Sequence, residues 1–166
     1  MYWRGHVGIG LLAYAPIAAV VLDAGEPGVA LLGGVLAVAF ATLPDADQPL
    51  PIPHRGPTHT VAFAVVTGFI AGMLAAATIT VGTIVGAGAI AEVPGWTPAF
   101  VGTVVTITLL SHVAGDAITP MGIRPFRPLS DAHFTLDLTP AKNPRANYLF
   151  LAVGVLALST SVWLAL

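Results

Sequence analysis

Cysteine is absent from the 166-residue sequence, which excludes disulfides and thiolate metal ligands. Charge is nearly as scarce. Acidic and basic side chains make up 8% of the chain, against about 25% in soluble domains. The net charge of −2 gives no basis for nucleic-acid binding. There is no internal repeat and no low-complexity tail, and the length leaves room for one domain, residues 1–166. What fills the chain instead is apolar: 56% of residues are hydrophobic. This composition is that of an integral membrane protein.

Five apolar segments stand out: Val7–Leu22, Gly28–Leu43, Thr60–Ala91, Thr97–Thr119 and Ala146–Leu166. They predict an all-α bundle of about five transmembrane helices. The first two have about 16 residues, short of the roughly 20 that cross hydrocarbon. They must therefore extend into their flanks, run with little tilt, or form a hairpin that stops short. The third is too long for one simple span and carries Gly82, Gly86 and Gly88, so it is expected to fray or kink near its end. The start of the chain, Met1 to His6 followed by an apolar run, has the outline of a signal peptide. We read it as the first span, because cleavage would remove His6.

Charge placement orients such a bundle. Arg4 precedes the first span, Arg55 lies in the second connection, and Arg124, Arg127, Lys142 and Arg145 lie in the fourth. The other two connections hold Asp23, Glu26 and Glu92. All six basic residues thus fall on one side, which the positive-inside rule makes cytoplasmic. The expectation is a multi-pass membrane protein with a cytoplasmic N-terminus.

Polar residues of chemical interest gather on that same side. His112 and Asp116 are four apart within an apolar helix, so they share a face about 6 Å apart along the axis. A carboxylate at that depth costs on the order of 3 kcal/mol, which makes an idle role uneconomical. Leu43-Pro44-Asp45-Ala46-Asp47 closes the second span, and His54-Arg55-Gly56-Pro57-Thr58-His59-Thr60 opens the third. His6 stands at the start of the first. Imidazoles with carboxylates and no sulfur suit zinc, manganese or iron. Thr58 reads as the N-cap of the third helix, with His59 in its first turn, where the dipole attracts anions. Asp116 lies near the opposite, cation-favouring end of the fourth. A bound cation there would offset the burial of Asp116 and activate water for attack. Blander readings exist for each piece: a structural His–Asp pair, Asp45 and Asp47 capping a proline-rich turn, and His54, Arg55, Arg124 and Arg127 resting at headgroup level. Their gathering on one side of so weakly charged a chain favours a site.

The strings Leu-Pro-Asp-x-Asp, His-Arg-Gly-x-Thr-His-Thr and Ser-His-x-x-x-Asp-x-x-Thr-Pro-x-Gly resemble the YdjM-type membrane-bound metal-dependent hydrolases, some labelled LexA-binding and inner-membrane-associated. The resemblance runs from His6 to about Pro128. That family is in turn distantly similar to zinc-dependent phospholipase C and related nucleases, all-helical enzymes with several metals. The resemblance implies His6, Asp45, His59, His112 and Asp116 as ligands of two divalent ions, zinc by family, with Asp116 bridging. Asp47, repeated in the membrane family, is implied as a further ligand or a general base. The soluble enzymes have more ligands after the last pair, whereas only His133 follows Asp116 here, so a third metal is not expected. Gln48 stands where the family often has histidine.

The residues support a metal-dependent hydrolase with its site facing the cytoplasm, and the resemblance implies phosphoesters in a phospholipid or lipid-linked substrate. His54 and Arg55, with Arg124 or Arg127, would take phosphate oxygens, and His133 is a candidate general acid. Two other readings stand beside it. One is an ion-coupled transporter, against which the third and fifth apolar segments hold no acid, base or imidazole. The other is a membrane anchor or regulator for a soluble partner.

Overall fold

The computed structural model describes residues 1–88 and 92–165. Among them are five long helices: α1 (Trp3–Asp23), α2 (Pro27–Phe40), α3 (Val61–Ile84), α4 (Thr97–Ala117) and α5 (Pro144–Leu164). Two short 3₁₀ turns, Leu43–Asp47 and Pro57–His59, lie between α2 and α3. All five spans are long and apolar enough to cross a membrane.

The helices overrun the apolar segments for identifiable reasons. Helix α1 takes in Trp3 and Arg4 because the Arg4 guanidinium lies over the rings of Trp3 and Tyr148, at 4.6 and 5.1 Å. A cation stacked on aromatics sits comfortably at an interface, so the helix need not stop there. The second span is completed differently. Its α-helix has 14 residues, and the 3₁₀ turn to Asp47 extends the span to 21. Both early segments are therefore full length. Helix α3 ends at Ile84, and Gly86 follows with φ +71°, a left-handed conformation that glycine adopts without penalty. Residues 89–91, the end of the third apolar segment, lie outside the described residues.

Helices α1 and α4 form the centre. Helix α1 packs on α5, α4 and α2, while α3 packs on α4. Small residues allow the closest of these approaches. A Cβ on Gly154 of α5 would overlap the Gly8 carbonyl of α1, and one on Gly102 of α4 would lie 2.9 Å from the Gly68 carbonyl of α3. Between these contacts Tyr14, Leu11, Val104 and Leu109 fill the buried core. The Tyr14 hydroxyl donates to the Ala30 carbonyl across α1 and α2. On the outer faces Thr78, Thr80, Thr83, Thr103 and Thr160 donate back to the carbonyl four residues earlier. This satisfies each hydroxyl where no water is at hand.

The long connection from α4 to α5 folds back on the bundle. Leu136 N–H donates to Ala117 O and Leu138 N–H to Ile118 O, so two carbonyls at the end of α4 find partners. Val61 N–H at the start of α3 donates to Pro125 O. One end of the bundle is thereby closed by its own loops, and the site lies beneath them.

Candidate metal centre

Local backbone geometry explains how the residues reach one another. Pro44 is the second residue of the 3₁₀ turn Leu43–Asp47. With three residues per turn, Asp45 and Asp47 leave that turn in different directions. Asp45 faces His59 and His112, whereas Asp47 faces His54 and Thr58. Pro57 starts the second 3₁₀ turn, which delivers His59. Helix α4 brings His112 and Asp116 on one face, as their spacing predicts.

Four ligand atoms, one each from Asp45, His59, His112 and Asp116, lie within 4.8 Å of one another. His59 Nε2 is 3.4 Å from Asp45 Oδ1 and 3.4 Å from Asp116 Oδ2. His112 Nε2 is 3.7 Å from each of the same two oxygens. The two Nε2 atoms are 3.2 Å apart. His59, His112 and Asp116 are buried, and Asp45 retains a fifth of its surface.

The protons on these groups follow from their other partners. His112 Nδ1 lies 2.7 Å from the Ala41 carbonyl. A carbonyl only accepts, so Nδ1 carries the hydrogen and Nε2 of the neutral ring carries a lone pair. The Thr58 hydroxyl donates to Asp47 Oδ2 at 2.8 Å and meets His59 Nδ1 at 3.0 Å. Having spent its one hydrogen on a carboxylate, that hydroxyl must accept from His59 Nδ1–H. His59 Nε2 is then also a lone pair. With both rings neutral, two imidazole lone pairs and two carboxylate oxygens face a common point. Asp116 Oδ2 is buried without a hydrogen-bond partner. Four acceptors converging in a buried place is unfavourable unless a cation joins them. The donor set, two nitrogens and two oxygens, matches the four-coordinate preference of zinc and is acceptable to manganese or iron. The surrounding bonds to Ala41 and Thr58 are those that orient metal-binding imidazoles.

His6 lies at the edge of this group. Its ring stacks on His112 with centroids 3.6 Å apart. Its Nε2 is 3.5 Å from Asp116 Oδ1, 3.9 Å from Asp45 Oδ2 and 3.0 Å from the Met1 carbonyl. Asp47 stands one layer back, fully buried, accepting from His54 Nδ1 at 2.8 Å and from Thr58. His54 is partly exposed at the mouth, with Nε2 4.0 Å from Asp45 Oδ1.

Arg55 and Thr58 behave differently from their sequence reading. Arg55 has φ +58°, which turns its side chain inward. Its guanidinium donates to Asp116 Oδ1 at 2.7 Å, Thr119 Oγ1 at 3.0 Å and the Gly122 carbonyl at 2.9 Å. It therefore fixes Asp116, an oxygen of which also accepts from the Met1 amine, and is not free at the mouth for a phosphate. The N-cap of α3 is Thr60, whose hydroxyl accepts from Phe63 N–H at 3.1 Å. Thr58 and His59 precede the helix, in the 3₁₀ turn. His133 is not gathered into the ligand group; its Nε2 lies 3.0 Å from the Met121 carbonyl on an exposed loop. Of the orienting groups, Thr119 was inside a recognised string, but the Ala41 carbonyl left no side-chain signal.

No curated protein and no solved structure is found to match the chain. A family model does match, over residues 1–166. With its five apolar spans and the group at one end of its bundle, the chain belongs to the YdjM inner membrane protein family.

Proposed function

We propose that this protein is a membrane-embedded, metal-dependent hydrolase acting on phosphoester bonds in a lipid or lipid-linked substrate. The observation that carries the reading is the convergence of four ligand atoms, from Asp45, His59, His112 and Asp116, on one point, with the outer nitrogens of both imidazoles already bonded elsewhere. A divalent ion held there would supply Lewis acidity and an activated water. His6 borders the group on the Asp116 side, with its Nε2 hydrogen turned to the Met1 carbonyl.

The residues around that point have distinct tasks. Arg55 holds Asp116 in place and balances part of its charge. Asp47 accepts from His54 Nδ1–H, which leaves His54 Nε2 as the atom that takes or gives a proton at the mouth. Burial of His6, His59 and His112 keeps bulk water from the inner wall. The exposed Leu50 and Ile52, in the same connection as Asp47 and His54, favour a substrate with an apolar part. The six basic residues, all in connections on this side, support a cytoplasmic orientation for this end of the bundle.

The test has two stages. Elemental analysis of gently purified wild-type protein should find at least one stoichiometric transition metal, lost in His112→Ala. A metal-free wild type overturns the reading. Against a panel of phospholipids and simple phosphodiesters, His54→Gln should keep the metal and lose hydrolysis by about 10²-fold or more, as for a general acid or base.

A further inference from the structure

On the far side of the 53–60 segment lies an open-sided cleft of about 930 Å³. Its wall is Phe63, Val66 and Ile70 of α3, its floor includes Pro53 and Pro57, and its charged lining residues are Arg127 and Asp131. Helix α3 is the span least covered by the rest of the chain, so the cleft opens toward hydrocarbon. An apolar recess of that kind, facing lipid, is occupied by lipid chains for want of any better neighbour.

The mouth makes the recess selective. Arg127 Nε donates to Asp131 Oδ1 at 2.5 Å, and both side chains are substantially exposed. Among the described residues, the terminal nitrogens of Arg127 and the second oxygen of Asp131 have no protein partner. The pair is neutral overall, so it offers no net attraction to an anionic headgroup. It presents instead one donor of positive charge beside one acceptor of negative charge. A headgroup with a phosphate and a primary ammonium is complementary to both, and a quaternary ammonium cannot donate to the carboxylate. We propose that this cleft binds a zwitterionic aminophospholipid, its acyl chain along Phe63, Val66 and Ile70, its phosphate on Arg127 and its ammonium on Asp131. The site is separate from the metal centre. The two share the 53–60 segment, since Pro57 and Thr60 line the cleft while His59 between them faces Asp45.

Native mass spectrometry of the purified full chain tests this. Delipidated protein is offered phosphatidylethanolamine, phosphatidylcholine and phosphatidylglycerol of identical chains in equimolar mixed micelles. Preferential retention of the ethanolamine lipid is expected. Retention should fall about fivefold in Arg127→Gln and in Asp131→Asn, the scale of an exposed charge contact. Val66→Trp, which fills the wall at an exposed position, should lower retention of all three lipids. Equal retention of the three headgroups, preference for the glycerol lipid, or indifference to these substitutions overturns the proposal. So does a dimer of the chain that excludes lipid. The wild-type headgroup comparison needs no variant to fold. Because retention is read without turnover, a metal-bearing active enzyme lacking this preference refutes only the cleft. A metal-free protein that keeps the preference refutes only the hydrolase reading.

Discussion

The two ends of the bundle use polar residues in opposite ways. At one end Asp47, His59, His112 and Asp116 are buried and each is held by another side chain or a carbonyl. At the other, Asp23 at the end of α1 and Glu92 are exposed and Glu26 is half-buried, with no ion pair among the described residues. Water serves the second set, whereas the first must be served by the protein or by a ligand. A buried network is costly to leave partly satisfied. The mismatch at the first end, acceptors facing acceptors, is therefore informative in a way that exposed acids never are.

Substitutions should expose this asymmetry, most strongly at Asp116. Asp116→Ala leaves the nearly buried Arg55 guanidinium without its anion, a loss of about 3–5 kcal/mol for a broken buried pair. It should appear as a large drop in the thermal unfolding midpoint in detergent, together with loss of metal. Chelation of the wild type should come next. A ligand held at a thousand times its dissociation constant contributes about 4 kcal/mol, so metal removal should lower the midpoint measurably and leave Asp116→Ala unmoved. Asp47→Asn leaves one acceptor oxygen where His54 and Thr58 each use their own, and puts an amide donor in place of the other. Loss of such an orienting partner costs about 10- to 100-fold in metal affinity, read by competition with a chromogenic chelator. Thr60→Ala should cost about 1 kcal/mol as a lost cap and leave metal content intact, which separates helix stability from the centre. The smallest effect belongs to the opposite end. Glu92→Gln should change stability by less than about 0.5 kcal/mol, and a larger shift would mean that the two ends are not as different as their burial implies.

Much of this contrast can be read before any coordinates. Five spans follow from apolar runs, and the His112–Asp116 pair follows from a spacing of four in a stretch where ionisable groups are expensive. Segment ends were less legible. A count of apolar residues stops at Arg4, but the helix continues because that side chain stacks on Trp3 and Tyr148. The second span looked short because its last turn is 3₁₀ and ends in two acids. The choice of Thr60 over Thr58 as cap depends on Pro57 starting a separate turn, and both threonines are plausible caps by composition. Arg55 could be seen to lie near the site but not which way it turns, because its inward direction comes from a left-handed backbone.

The Ala41 carbonyl that receives the His112 hydrogen is a group every amino acid possesses. No replacement at position 41 deletes that oxygen, so a scan of side chains would register only the steric demands of a fully buried alanine. The tautomer of His112 is thus written into the path of the main chain as it leaves α2. Swapping the peptide for an ester one bond away, or displacing the 3₁₀ turn by inserting a residue, would reach it where ordinary mutagenesis does not.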